Sequence, residues 1–174
     1  MTEIKDSGER REFETGAQRD RAVGKGLPAL ISAPMMTAFI EDGHMDFADD
    51  YLIDAISGLY SILKTGKWGN ALLIFKDLTT MKGYVEAIHR LSIQLEKGAL
   101  KYSKRNWEKG MPLEEYINSA LRHLNAMVNK QDDEDHYAAA LFNVMGLWHT
   151  GYLVSLNALP AELNNLPGGV GYGN

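Results

Sequence analysis

The chain contains no cysteine in 174 residues, which excludes disulfides, thiolate nucleophiles and cysteine-ligated metal sites. A reducing cytosol is compatible with that absence and not required by it. No uninterrupted apolar run approaches the roughly 20 residues that span a bilayer, and no secretory pattern opens the sequence, so no membrane partner is expected. Positive charge is also short: 18 Lys and Arg against 23 Asp and Glu leave a net charge of −5, which argues against broad nucleic-acid binding. Any polyanion site must therefore be a local cluster of cations. Strand patterns are scarce as well, with 71–75 the one stretch that competes with a helical reading.

Helical periodicity is what the sequence does have. Residues 1–26 are polar, carry four glycines and lack apolar periodicity, which predicts a flexible arm. From Asp46 to Leu63, Ile53, Ile56, Leu59, Tyr60 and Leu63 fall near one helical face with Phe47. Gly66 and Gly69 interrupt it, and 70–78 reads as a shorter helix. A third helix is predicted from about Gly83 to Tyr102, with the stripe Val85, Ile88, Ser92, Leu95, Ala99 and Tyr102. Gly98 inside it costs about 1 kcal/mol relative to Ala, a hint that something approaches the backbone there. Pro112 fits a helix start, and Leu113, Ile117, Ala120, Leu121, Leu124 and Val128 follow at helical spacing. The acidic run at 132–135 opens a last helix through about Asn157. The expectation is an all-α, compact bundle of about five helices, as one domain over 27–160 with a glycine-rich flexible tail over 161–174.

The segment LEKGALKYSKRNWEKG at 95–110 is the densest in chemistry. It gathers Glu96, the cations Lys97, Lys101, Lys104 and Arg105, the amide Asn106 and the ring of Trp107 at a helix end. A carboxylate suits a divalent metal, cations suit phosphates and an indole stacks on a base. Taken alone, complementing the helix dipole is the sufficient explanation for those cations. Glu86 and Glu96 lie about 15 Å apart along the helix and cannot share an ion, so a partner for Glu96 must come from another helix. Asp135 in the first turn of the last helix is the natural source. Asp132 and Asp133 read more readily as N-caps, and for Asp135 capping and ligation are balanced.

His136 and Asn143, seven residues apart, share nearly one face of an otherwise apolar helix and need partners if buried. Core hydrogen bonding is the default for both, and orienting a ligand is the sharper alternative. Arg122 flanks an apolar stripe and requires an anion, either Asp135 or a phosphate. His123 points about 100° away from it. His89 and His149 read as packed or solvated. Asp46, Asp49, Asp50 and Asp54 read as a solvated helix face.

With those residues in place, the chain resembles the phage dATP/dGTP diphosphohydrolases, the MazZ-type group allied to MazG-like all-α nucleotide pyrophosphohydrolases. The segments that carry the resemblance are ETGAQRDRAVGKGLPALI at 14–31, EKGALKYSKRNWEKGMP at 96–112, SALRHLNA at 119–126 and EDHYAAALFNVM at 134–145, with HTGYL and LPAEL after them. The resemblance implies hydrolysis of a purine deoxynucleoside triphosphate to monophosphate and pyrophosphate with Mg²⁺ or Mn²⁺. It further implies a phage enzyme working in a host cytoplasm, plus homo-oligomerisation. Metal ligands are then expected at Glu96, Glu134 and Asp135, and catalytic roles at Glu96, Asp135 and His136. Lys97, Lys101 and Arg105 are expected to hold pyrophosphate, and Tyr102, Asn106, Trp107 and Asn143 to contact the nucleotide. Arg122 and His123 are expected to close the site or steady the carboxylates, and Arg19 and Asp20 to fold over the substrate.

The chain departs from MazG-type enzymes in two ways. The E-x-x-E and E-x-x-D pairs occur only in the polar arm, in reverse order, so the ligand set must differ. Residues 34–85 also exceed what the family core requires, which predicts a helical insertion. Other classes stay open: an HD-type triphosphohydrolase, opposed by the reversed Asp135-His136 order; a non-catalytic nucleotide-binding module; and a phage structural protein.

Overall fold

The computed structural model of the protein describes residues 10–20 and 50–169. Five helices make up the body: α1 (Asp50–Thr65), α2 (Ala71–Lys82), α3 (Tyr84–Tyr102), α4 (Leu113–Val128) and α5 (His136–Ser155). They form the all-α bundle that the periodicity predicts. The expected start of the first helix at 46–49, with Phe47, Asp46 and Asp49, lies outside the described residues, as does the GKGLPALI segment.

α5 is the axis of the bundle. Its sequence is apolar on every side and interspersed with Ala and Gly, so it is stable only when surrounded. It packs most extensively on α4 and also against α2 and α3, while α1 covers α2 and α4. The core runs through Leu59, Ile62, Leu78, Tyr116, Leu121, Leu124, Leu141 and Leu147, all fully buried. Small residues on α5 let bulky neighbours approach. At Gly146 an added Cβ would overlap the buried ring of Tyr116, whose hydroxyl accepts a hydrogen bond from Thr150 Oγ1 at 3.2 Å. Gly146→Ala is therefore expected to destabilise the fold by about 1–3 kcal/mol despite Ala's better helix propensity, because a rigid ring in a full core has nowhere to go. Urea denaturation checks this, and an unchanged midpoint would mean that the ring can shift.

Two segments read from the sequence as arm and tail are placed against the body. Arg10–Glu12 (β1) and Gln18–Asp20 (β2) pair antiparallel as a hairpin, with Arg11 opposite Arg19. The propensity reading missed these strands because three-residue strands carry no periodic signal, and their pairing is completed by contacts to the body. The turn between them uses Gly16 at φ +75°. Residues 161–169 also fold back: Leu163 and Leu166 are buried, and Asn165 Oδ1 accepts the Glu114 backbone N–H at 3.1 Å. The Pro167 carbonyl sits where a Cβ at Gly66 would lie, so the glycine that ends α1 (φ +70°) also admits this segment.

α3 departs from its predicted stripe. Its fully buried residues are Ala87 and Leu91, and Val85 is 82% exposed. Leu95, Ala99 and Tyr102 from the stripe border a cleft, with Leu95 also packed against the edge of the core. Gly98 opens onto the same cleft, with no group within 4 Å of an added Cβ. The expected close approach to its backbone does not occur among the described residues.

Candidate active site

A cleft of about 920 Å³ lies between the C-terminal half of α3, the loop 103–110, α4, the start of α5 and the hairpin. Each wall is held by identifiable bonds. The hairpin is fastened by Thr15 Oγ1 donating to the Gly110 carbonyl at 2.7 Å, Lys109 Nζ to the Gly16 carbonyl at 3.1 Å, and an Arg11–Glu115 ion pair at 2.6 Å. Asn106 clamps its second strand from both ends of the amide: Nδ2 donates to the Gln18 carbonyl at 3.1 Å and Oδ1 accepts the Gln18 N–H at 3.3 Å. Asn106, expected to contact the base, thus has a positioning role, with one hydrogen bond from each end of its amide to the Gln18 backbone. In the adjoining loop Ser103 (φ 123°) and Arg105 (φ 61°) are non-glycine residues with positive φ, a strained backbone beside the cleft.

The floor carries an unusual concentration of positive charge. Arg19 reaches in from β2 and donates through Nη2 to Ser119 Oγ and, at 2.9 Å, to Asn143 Oδ1. Part of the Arg19 side chain is accessible, but its guanidinium is enclosed, and Nη1 is buried with no hydrogen-bond partner. Burial pushes its pKa down, only partly offset by Tyr116 and Glu115. Arg122 Nη2 donates to the same Ser119 Oγ at 3.1 Å. Burial, and then the charge of Arg19, lower Arg122 to about 10. Two guanidiniums converging on one hydroxyl form a site that favours an anion. Glu115 and Glu134 act on Arg122 in the opposite sense and partly offset that lowering.

Asp135 accepts two hydrogen bonds from Arg90, from Nε at 2.9 Å and Nη2 at 2.6 Å, and its Oδ1 caps the Ala138 N–H at 2.9 Å. Burial alone would raise its pKa, but the Arg90 bonds and the cap outweigh it and the net shift is downward. The metal-ligand and catalytic roles expected of Asp135 therefore meet a carboxylate whose oxygens are already engaged by a cation and a helix N-terminus. A folded pKa below the ordinary 3.8 means that this carboxylate stabilises the fold above that pH and stops doing so as pH falls through its folded value. Asp135→Asn keeps a capping side chain and loses the ion pair. Its expected outcome is a loss of about 1 kcal/mol at neutral pH, a weaker acid dependence and turnover close to that of the parent protein. Lost turnover in a folded Asp135→Asn protein would return this residue to the chemistry.

Beside the arginines lies a compact trio. His123 Nδ1 and His136 Nδ1 are 3.2 Å apart, and Glu134 Oε1 is 3.5 Å from the first and 3.6 Å from the second. Among the described residues this is the one group of three or more His, Asp or Glu with ligand atoms close enough to hold a metal ion. Asp133 Oδ1 lies 2.9 Å from the other nitrogen of His136. Of the expected ligands Glu96, Glu134 and Asp135, the structure brings only Glu134 into this group. Glu96 lines the cleft from α3 as an exposed residue. The trio draws instead on His123 and His136, which the sequence reading used for other roles. A signal for it existed: α4 and α5 are joined by the short connection 129–135, and in such a helical hairpin a residue in the last turns of one helix meets the first turn of the next.

Tyr102, Arg105 and Trp107 also line the cleft. Trp107 is tilted against His149, ring centroids 4.8 Å apart, and Arg105 pairs with Glu108 at 3.3 Å. Lys97 and Lys101 lie outside the cleft lining, and the Lys101 ammonium sits 5.3 Å from the Tyr102 ring centre. The Asp20 backbone pairs with Arg10, and its side chain is outside the described set. Arg11 and Ser119 are cleft residues that the sequence reading did not single out, and Asp133, expected as an N-cap, lines the cleft while Asp135 takes the cap.

An all-helical body with cations, carboxylates and imidazoles gathered in one cleft defines a candidate polyanion-binding site. A family model described as dATP/dGTP diphosphohydrolase, N-terminal, matches residues 65–152, just over half of the chain and including α2 to α4 and most of α5. The chain belongs to this family. No curated protein and no solved structure matches it. No helix among the described residues is long and apolar enough to cross a membrane.

Proposed function

We propose that the protein hydrolyses purine deoxynucleoside triphosphates, dATP or dGTP, to the monophosphate and pyrophosphate with a divalent metal. The observation that carries this reading is the adjacency, in one cleft, of the His123–Glu134–His136 trio and the Arg19–Arg122 pair. One group suits a cation and the other suits phosphate. Family membership supplies the nucleotide class.

In this reading His123, Glu134 and His136 would hold the metal, which would supply positive charge to offset that of the phosphates. Arg19 and Arg122 bind and orient the triphosphate. Their fixed guanidiniums need no reorganisation as charge builds on the departing pyrophosphate. Water attacks the α-phosphorus, the bond to the bridging oxygen of the β-phosphate breaks, and Glu96 takes the water's proton. Tyr102 and Trp107 supply ring faces for the base. Arg105 at the rim assists phosphate entry. The family resemblance assigns Mg²⁺ or Mn²⁺ as the ion, and nucleotide-pool remodelling in a phage-infected host cytoplasm as the setting. Exposed Leu72 and Leu73 at the start of α2, and Tyr84 and Val85 at the start of α3, support self-association as a homo-oligomer.

The test is incubation of purified protein with each dNTP and Mg²⁺ or Mn²⁺, followed by separation of products. Monophosphate with pyrophosphate, and faster turnover of purines, is the expected result. Nucleoside with tripolyphosphate would replace it with the triphosphohydrolase reading. Binding without turnover would leave a nucleotide-binding module.

A further inference from the structure

We propose that the His123–Glu134–His136 trio is a three-ligand site selective for a nitrogen-preferring transition-metal dication, of the Zn²⁺ or Co²⁺ kind, over Mg²⁺, with Asp133 as its positioning residue.

The first argument is geometric. Three atoms separated by 3.2, 3.5 and 3.6 Å lie on a circle of radius about 2.0 Å, which is the bond length of a transition metal to imidazole nitrogen and carboxylate oxygen. A tetrahedral ion with bonds of about 2.1 Å sets its ligands about 3.4 Å apart, in the middle of that range. An octahedral Mg²⁺ with bonds of about 2.1 Å requires about 3.0 Å between neighbouring ligands, shorter than all three separations. All three residues line the cleft, so the remaining coordination positions face it.

The second argument is chemical. Two of the three donors are imidazole nitrogens, which suit Zn²⁺ and late first-row dications such as Co²⁺, whereas Mg²⁺ and Mn²⁺ favour oxygen. The third concerns the tautomer. Asp133 Oδ1 lies 2.9 Å from His136 Nε2, so Nε2 carries the hydrogen and donates it to the carboxylate. That leaves the lone pair of His136 on Nδ1, facing the trio. A carboxylate holding the far nitrogen of a ligand histidine is the usual outer partner of a metal-bound imidazole.

Although the site belongs to the cleft of the proposed hydrolase, its metal preference is read without substrate, so the two readings fail separately. Full-length protein is stripped with chelator, and Zn²⁺, Co²⁺, Mn²⁺ and Mg²⁺ are titrated singly by calorimetry. Bound metal is then counted after desalting, and the visible spectrum of the Co²⁺ form is recorded. The expected result is about one retained Zn²⁺ or Co²⁺ per chain, intense tetrahedral Co²⁺ bands, and no displacement by millimolar Mg²⁺. His123→Ala is expected to abolish retention. Asp133→Asn, at an exposed position where refolding is not at issue, is expected to weaken Co²⁺ binding 10–100-fold and shift its bands. No retained metal, Mg²⁺ binding as tight as Co²⁺, or unchanged Co²⁺ affinity in Asp133→Asn would each overturn the proposal. Retained Co²⁺ with no dNTP turnover would uphold this site and overturn the hydrolase reading instead.

Discussion

Replacing Glu134 by Gln is expected to lower kcat for dATP or dGTP by on the order of 10³-fold with the helical fold intact. Glu134 is the one carboxylate of the trio, and its Oε1 lies 3.5 and 3.6 Å from the two imidazole nitrogens. Gln keeps the shape and removes the negative charge, so a dication held by two neutral imidazoles and an amide is bound far less well. The fold has little at stake, because residue 134 sits in the connection before α5 and not in the hydrophobic core. Circular dichroism and the thermal midpoint should therefore match the parent protein while turnover collapses. A folded Glu134→Gln protein with turnover within a few-fold of the parent would remove this residue from the mechanism.

Arg19→Met is the second large effect expected, and it separates binding from stability. The parent protein holds two partly desolvated guanidiniums on Ser119 Oγ, and one nitrogen of Arg19 has no partner. An arrangement of this kind is costly to the empty protein and rewarding once a phosphate enters. Methionine preserves most of the packing volume and removes a charge that burial already disfavours. KM for the triphosphate is expected to rise about 10–100-fold, the worth of one or two charge-assisted hydrogen bonds, while the thermal midpoint holds or increases. Pyrophosphate should stabilise the parent against heat and have little effect on the variant. Arg19 also ties the hairpin to α4 and α5 through Ser119 and Asn143. If that tie were its whole role, Arg19→Met would lower the midpoint and leave KM unchanged.

These substitutions differ from those that the sequence alone recommends, and the reason lies in particular residues. Glu96 and Asp135 are the carboxylates most conspicuous in the linear pattern, one inside a cationic segment and the other at a helix start. Which carboxylate is available to a ligand depends on what else reaches it. Arg90, 45 positions away, engages both oxygens of Asp135. Asn106 looked like a base-reading amide because it sits beside Trp107, yet the backbone of Gln18 occupies it. Ser119 carried no signal, being one hydroxyl in an apolar helix, until two arginines from separate elements converged on it.

The helices, their approximate ends and the burial of the last one follow from local rules that sequence carries directly: apolar spacing, glycine and proline breaks, and a helix apolar on every side. The gathering of chemistry into 95–110 and 119–136 was legible for the same reason, since residue types are local facts. The pairing of those types was not. The His123–Glu134–His136 trio needs the turn that sets the end of α4 against the start of α5, and the arginine pair needs a hairpin some 100 residues earlier in the chain to lay Arg19 beside Arg122. Distances of 3 Å between side chains are products of packing, where each atom's position answers to neighbours far away in sequence. In this protein the sequence by itself determined the bundle and the chemical inventory, and the tertiary structure alone decided which cations converge on one hydroxyl and which three side chains meet.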